Sequence, residues 1–146
     1  MRVAGFGFRA GATRESLSDA LGAETRLDAL ATAEDRAGAP AIRDLAARLG
    51  LPLIAVPLAA VAAETRAAPV AASPARYGGR SLAEAAALAA CGPRARLMAP
   101  RRVSRDGLAV AAVAESETET GTETGGPAAP RTPRGYFGEE EGDDGR

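Results

Sequence analysis

Two arginines beside a glycine-rich segment, Arg9 and Arg14, are the residues whose types and spacing most directly suggest chemistry. The segment has the spacing G-x-G-x-x-x-G over Gly5, Gly7 and Gly11. This differs from the G-x-G-x-x-G of dinucleotide-binding turns, and no Gly-Lys-Ser/Thr follows as in a P-loop. Two interpretations remain open: an anion site of backbone N–H groups and arginine, or a strand–turn–helix whose glycines only provide backbone room.

The elements on either side of the glycines must position such a site. The apolar run at residues 3–6 predicts a buried strand, and we expect the glycines to carry the chain through the turn after it. Thr13 is placed to cap a helix whose apolar positions are Leu17, Ala20 and Leu21. Because the first N–H groups of a helix are unpaired and partly positive, this corner of an open sheet suits an anion.

The rest of the pattern alternates strands and helices. Further strands are predicted at residues 27–32, 53–56, 96–99 and 108–114. Helices are predicted at 40–49 and 85–90, the second behind a Ser81/Glu84 capping box, with a helical turn at 58–62. Asp106-Gly107 indicates a hairpin. We therefore predict an α/β fold: a single open, mainly parallel mixed sheet of about five strands with helices on both faces and a terminal antiparallel hairpin.

Charge divides the chain into two parts. Residues 1–114 contain 15 Arg and 10 acidic residues, a net charge of +5, whereas residues 115–146 contain 3 Arg and 9 acidic residues, a net charge of −6. The second part is rich in Glu, Thr, Gly and Pro, a composition that cannot bury enough apolar surface to fold. We predict a folded domain at 1–114 and a disordered acidic tail at 115–146. Whether the tail masks a basic crevice or only aids solubility stays open.

Several classes of function are disfavoured by the composition. The chain has no His and no Lys, and Cys91 is its one cysteine, so the commonest metal ligand, a Ser-His hydrolase and an internal disulfide are excluded. We expect no metal and no cofactor. The sequence has no 18-residue apolar run and no signature of RNA or DNA binding. We therefore expect a cytoplasmic protein with neither a membrane nor nucleic acid as partner.

Four patches in register resemble one family, the C-terminal domain of CbiG and the stand-alone protein CobE of cobalamin (vitamin B12) biosynthesis. Residues 5–13, GFGFRAGAT, are similar to the family's G-[IL]-G-C-R-[RK]-G-x-[ST]. Residues 30–40, with Ala-Thr followed by Arg36 and Pro40, are similar to A-T-x-x-x-K-x-x-E-P. Residues 83–88 match [AC]-E-A-A-A-L, and Pro100-Arg101 followed by a strand matches the family's P-K and strand.

The sequence also departs from the family pattern. Phe8 replaces a frequent Cys, Ala10 a basic residue and Ala39 a Glu. Arg36 and Arg101 replace Lys, which keeps the charge but removes the amine. Since guanidinium does not deprotonate in proteins, these two positions cannot serve in Schiff-base or general-base chemistry.

The resemblance implies a role in making the corrin ring. It implies first that the protein binds or hands on an anionic corrinoid (precorrin-type) intermediate of the aerobic pathway. Other pathway enzymes, such as precorrin methyltransferases, are implied as further partners. The alternative is a component of a cobalt-precorrin-5A hydrolase-like enzyme that opens a lactone, whose general base would be Glu34, Asp35 or Glu84. The residues expected to bind the ligand are Gly5, Gly7, Phe8, Arg9, Gly11, Thr13, Arg36, Glu84 and Arg101.

The chemistry of a corrinoid ligand explains why arginines and aromatic residues are among the expected binding residues. Corrin precursors carry carboxylates around an apolar macrocycle, so a site needs guanidinium groups at its rim and an apolar floor. Arginines in loops or at strand ends could converge at the carboxyl edge of the sheet: Arg9, Arg36, Arg76, Arg80 and Arg101. The rings of Phe8 and Tyr77 either anchor the core or stack on the macrocycle. Glu84 is either a helix cap or a general base.

Overall fold

The computed structural model describes residues 1–24 and 26–116, and the predicted disordered tail lies outside this range apart from its first two residues. The described chain contains six strands, four α-helices and one 3₁₀-helix. In chain order they are β1 (Arg2–Phe8), α1 (Arg14–Leu21), β2 (Ala29–Ala33), α2 (Pro40–Leu49), β3 (Leu53–Val56), α3 (Leu58–Ala62), the 3₁₀-helix (Ala75–Tyr77), α4 (Leu82–Cys91), β4 (Arg96–Leu97), β5 (Arg102–Val103) and β6 (Ala109–Glu115).

All six strands belong to one open mixed sheet with the order β3-β2-β1-β6-β4, and β5 also pairs with β6. β1, β2 and β3 are parallel, whereas β6 is antiparallel to β1, β4 and β5. The predicted mainly parallel sheet with a terminal antiparallel hairpin is confirmed. The predicted fourth strand is only two residues long, and β5, which follows it on the same edge of β6, was not predicted because a two-residue strand leaves no period to detect.

Helices cover both faces of the sheet, as predicted. α1 and α2 pack on one face around a core that includes Phe6, Leu17, Leu30 and Ile42. α3 and α4 cover the other face, where Val3, Ala31 and Val61 are buried with the alanines of α4. The alternation of Val3 and Phe6 between the two cores follows from the two-residue side-chain period of β1.

The predicted place is correct for Gly11, which lies in the turn after β1, but wrong for Gly5 and Gly7. Gly5 and Gly7 lie inside β1, paired with Ala112 and Val110 of β6, and not in the turn. A Cβ on Gly5 would lie 2.6 Å from the Ala87 nitrogen and would also overlap the Ala83 carbonyl oxygen. Gly5 therefore allows α4 to pack directly on the strand backbone, and this close approach is why a side chain is absent there.

Capping residues fix the helix starts. Thr13 caps α1 as predicted, and Ser16 completes a capping box by accepting from the Thr13 N–H at 3.1 Å. Ser81 caps α4 by accepting from the Glu84 N–H at 3.2 Å. The predicted capping box of α4 is wrong in its second half, because the Ser81 N–H donates to the Ala68 oxygen and the Glu84 carboxylate points to other partners. In the described chain the helices are too short to span a bilayer.

Candidate functional site

A cleft with a volume of about 430 Å³ opens at the carboxyl end of β1, where β2 ends beside it. Its floor includes the half-buried side chains of Phe8, Leu82 and Val110, and the segment at residues 70–77 forms one wall. Three arginines line it: Arg9, Arg36 and Arg76. We call this feature the arginine cleft. It lies where open α/β sheets bind ligands, outside the carboxyl ends of the parallel strands.

Arg9 and Arg36 are placed differently at the rim. The main chain of Arg9 is held by its N–H donating to the Leu108 oxygen at 2.9 Å, and its side chain is exposed. The Arg36 guanidinium donates to the Phe8 main-chain oxygen at 2.6 Å and lies 4.5 Å from the centre of the Phe8 ring. Phe8 packs against the core beneath, as one of its two predicted roles requires, and its ring contacts the Arg36 cation at the edge of the cleft. Stacking of the ring on a macrocycle stays a prediction.

The wall of the arginine cleft is tied to the end of β2 by Asp35. Its carboxylate accepts from the Arg76 Nε at 2.8 Å and from the Tyr77 hydroxyl at 2.9 Å. The Tyr77 ring is buried in the core beside α3 and α4, which answers the question left open by the sequence in favour of a core anchor. Burial raises the pKa of Tyr77, so its hydroxyl stays protonated and keeps donating to Asp35 at neutral pH.

A smaller pocket of about 120 Å³ adjoins the arginine cleft through Gly7, Ser73 and Leu82, which line both. Arg80 and Arg101 line this pocket, and we call it the Arg80 pocket. The Arg101 Nη1 donates to Glu84 Oε2 at 3.3 Å, and the other oxygen of this buried carboxylate accepts from the Ala68 N–H at 2.8 Å. Glu84 therefore positions Arg101 and the 68–70 segment.

The helix start that the sequence suggested for anion binding is occupied by protein groups. The Ser16 N–H donates to the Thr13 hydroxyl, and the Ser16 hydroxyl donates to the Asp106 carboxylate at 2.6 Å. Hydrogen bonds from Ser104 and Ser16 lower the pKa of Asp106, so a negative charge already lies beside this helix start. The predicted anion corner is thus taken by Asp106. Gly11 and Thr13 shape the turn and cap of α1 and do not line the cleft.

The carboxylates suggested as general bases all have partners in the fold. Glu34 accepts from the Leu58 N–H at 2.8 Å, Asp35 binds Arg76 and Tyr77, and Glu84 binds Arg101 and the Ala68 N–H. Burial raises the pKa of Cys91, and its thiol donates to the Ala114 oxygen at 3.3 Å. Cys91 is therefore a helix-end packing residue, and its raised pKa disfavours the thiolate that a nucleophile requires.

The predicted site residues are only partly brought together. Gly7, Phe8, Arg9 and Arg36 line the arginine cleft, Arg101 lines the adjoining pocket, and Glu84 holds Arg101. Gly5 lies under α4, away from both cavities. The cleft also has apolar lining residues that were not predicted to belong to a site: Val70, Leu82, Val103, Leu108 and Val110. Among these, Val103 stands out in the sequence as a large apolar residue between Arg102 and Ser104 in the segment predicted to turn, and in the fold it is 60% exposed.

Another depression, of about 450 Å³, lies between the end of α1 and residues 98–102. It is lined by Glu24, Arg26 and Arg102, and the sequence predicted none of its residues as part of a site. Its charges are mixed, and Glu24 is paired with Arg2 at 3.1 Å. It therefore lacks the concentration of positive charge found at the arginine cleft.

The fold and the cleft define an open α/β domain that presents arginines around an apolar floor at the carboxyl edge of its sheet. A family model described as the cobalamin synthesis G C-terminus matches residues 2–114. The chain belongs to this family, and it is a cobalamin biosynthesis protein of the CobE/CbiG C-terminal type.

Two solved structures support this assignment. The chain is similar to the crystal structure of CobE, a protein from the cobalamin (vitamin B12) biosynthetic pathway, with a TM-score of 0.69 and 33% identity over 78% of this chain and 92% of CobE. It is also similar to the cobalamin biosynthesis protein ChiG from Agrobacterium tumefaciens, with a TM-score of 0.61 and 38% identity over 81% of this chain and 100% of ChiG. A search of the curated proteins found no match.

Proposed function

We propose that this protein binds an anionic, precorrin-type corrinoid in the arginine cleft and hands it on to another enzyme of cobalamin synthesis. One observation carries the proposal: Arg9, Arg36 and Arg76 line a single cleft whose floor contains Phe8, Leu82 and Val110. Guanidinium groups bind carboxylates through paired, charge-assisted hydrogen bonds, and apolar side chains suit the face of a macrocycle. The family assignment supports the choice of a corrinoid over other carboxylated ligands.

The exposure of the rim supports the second half of the proposal. Arg9 and Arg76 are exposed, so a ligand held by them keeps part of its periphery in solvent. A ligand bound in this way is accessible to a second protein, and a precorrin methyltransferase is the class of partner we propose. Arg36 and Arg101, which stand where the family pattern has lysine, fit binding, since arginine offers a planar set of donors and stays protonated, so that it cannot act as a general base.

A visible-absorption titration tests the proposal. The probe is cobyrinic acid, a corrin whose side arms are free carboxylates, and the comparison is dicyanocobinamide, whose arms are amides. We expect saturable binding of cobyrinic acid and much weaker binding of dicyanocobinamide, because the arginines recognise charge. Absence of any saturable change with cobyrinic acid overturns the proposal.

A matched pair of variants locates the site. We expect Arg9→Ala to weaken cobyrinic acid binding about ten- to a hundredfold, since losing one partner of a charged hydrogen bond costs roughly 1.5–3 kcal/mol. Arg48→Ala is the control, because Arg48 is an exposed arginine of α2 that does not line the cleft. Equal affinities for the two variants exclude the arginine cleft as the site.

A further inference from the structure

The Arg80 pocket differs from the arginine cleft in size. Its volume is about 120 Å³, whereas pockets that hold a whole small-molecule ligand have volumes of roughly 300–1,000 Å³. It therefore has room for a side arm of a ligand but not for a macrocycle. Because Gly7, Ser73 and Leu82 line both spaces, an arm that projects from a ligand in the cleft reaches the pocket directly.

Arg80 is the residue of this pocket that has an unsatisfied hydrogen-bond donor. Its Nε is buried and has no hydrogen-bond partner among the described residues. A buried donor without a partner is uncommon, because it loses its hydrogen bond to water and gains nothing in return. The main chain holds Arg80 in place: it is bridged to Pro69, and the flanking bonds run from the Val70 N–H to the Gly79 oxygen and from the Ser81 N–H to the Ala68 oxygen.

The guanidinium of Arg101, the second one in the pocket, is held by a side-chain contact. The hydrogen bond from Arg101 to Glu84 uses Nη1 alone, and its other nitrogens make no bond within the described chain. Glu84 is itself fixed by the Ala68 N–H, next to the bridge that holds Arg80. The main chain of Arg80 and the guanidinium of Arg101 are therefore attached to one framework, formed by the 68–70 segment and the start of α4, which keeps both arginines beside the same pocket.

We propose that the Arg80 pocket is a subsite for one carboxylate arm of the ligand, an acetate or propionate group bound by Arg80 and Arg101. The inference rests on the proposed function, since it assumes that the rest of the ligand occupies the arginine cleft. It adds a recognition rule: the protein distinguishes ligands by the charge of one particular arm. A corrinoid whose arm at this position is an amide loses the carboxylate that pairs with two guanidinium groups, and it leaves the Arg80 Nε with a poorer partner.

The first test compares variants of the full chain in the cobyrinic acid titration. We expect Arg80→Gln to weaken binding about tenfold or more, because it removes the positive charge. Arg80→Lys should weaken binding less, because lysine keeps the charge, but some loss should remain since lysine has no Nε donor of the same geometry. Arg48→Gln is the control and should bind as the wild type does. If Arg80→Gln binds like this control while Arg9→Ala is weakened, the proposed function holds and the subsite is wrong.

The second test needs neither a variant nor a corrin. In a nitrogen–proton NMR spectrum of the wild-type protein, we expect millimolar propionate to shift the Arg80 Nε–H signal saturably, and propionamide to leave it unchanged. The Arg48 Nε–H signal reports non-specific effects. A shift of Arg80 no larger than that of Arg48 overturns the subsite. Failure of cobyrinic acid to bind wild-type protein overturns the proposed function instead, so the two failures are distinguishable.

Discussion

The Arg36 guanidinium is fixed between the main-chain oxygen of Phe8, to which it donates at 2.6 Å, and the ring of the same residue, whose centre lies 4.5 Å away. The two contacts use one nitrogen and one face of the guanidinium, and its other nitrogens donate to no group of the described chain. Since Phe8 packs against the core, the orientation of Arg36 is set before any ligand binds. Such preorganisation reduces the entropic cost of recognising a carboxylate.

A substitution that keeps the charge tests this arrangement. We expect Arg36→Lys to weaken cobyrinic acid binding about tenfold, because an ammonium lacks the planar donor set and stacks less well on Phe8. Arg43→Lys is the matched control, since Arg43 is an exposed arginine of α2 away from the cleft. Isothermal titration calorimetry measures both affinities. If the two variants bind equally well, the geometry of Arg36 does not contribute to recognition.

The close contact between β1 and α4 gives a prediction on stability. We expect Gly5→Ala to destabilise the protein by about 3 kcal/mol, because the new methyl group would lie 2.6 Å from the Ala87 nitrogen and 2.9 Å from the Ala87 Cβ. To remove this overlap, α4 would have to move away from the sheet. Urea unfolding measures the loss, and a Gly5→Ala protein as stable as the wild type contradicts the proposed role of this glycine.

Gly7 is the matched control for Gly5, two residues along the same strand. A Cβ on Gly7 would lie 3.4 Å from the Leu82 Cβ, which is an ordinary contact, so we expect Gly7→Ala to change stability by less than about 1 kcal/mol. Because Gly7 lines both cavities, the methyl group should nevertheless weaken cobyrinic acid binding. Loss of stability without loss of affinity would mean that Gly7 serves packing alone.

The glycines also show what could be predicted from the sequence. The apolar run, the cap at Thr13 and the alternation of strands and helices were enough to predict the order of elements and the helices on both faces, because each is a local signal. The reason for Gly5 was not predictable, since it depends on α4, which lies almost eighty residues later in the chain. A glycine in a strand and a glycine in a turn have the same appearance in a single sequence.

The candidate site shows the same limit. That Arg9 and Arg36 follow neighbouring parallel strands was enough to predict that they meet at one edge of the sheet. The partner of Glu84 was assigned wrongly, because the local S-x-x-E pattern predicts a capping box while the Ala68 N–H and Arg101 compete for its carboxylate in the fold. Contacts between distant segments decide such cases, and sequence spacing does not report them.

Residues 117–146 carry 3 Arg and 8 acidic residues, a net charge of −5. The strands and helices of the described chain lie between Arg2 and Glu115, so we expect removal of residues 117–146 to leave the free energy of unfolding unchanged. The cut must follow Ser116, because Glu115 pairs with Arg2 in the sheet. Urea unfolding of the two chains measures the difference, and limited proteolysis of the full chain should leave a core that ends near this point. A lower stability of the shortened chain contradicts the prediction.

Asp106 joins the hairpin before β6 to the start of α1. Its carboxylate accepts from the Ser104 hydroxyl at 2.5 Å, the Ser16 hydroxyl at 2.6 Å and the Leu108 N–H at 3.0 Å. These hydrogen bonds favour the ionised form and lower the pKa of Asp106 below its ordinary value of 3.8. A folded-state pKa below the unfolded-state value means that folding is stabilised when the group is ionised.

The sign of the resulting pH dependence can be tested with Asp106→Asn. The stabilisation by Asp106 is fully present above the unfolded-state pKa, and it is lost as the pH falls from about 3.8 through the lowered folded-state value. We therefore expect the variant to be less stable than the wild type at neutral pH, with a difference that shrinks as the solution is acidified through this range. Asp44→Asn is the control, because Asp44 is an exposed residue of α2. Urea unfolding at a series of pH values measures both differences, and a gap for Asp106→Asn that stays constant with pH would show that its ionised form does not stabilise the link between the hairpin and α1.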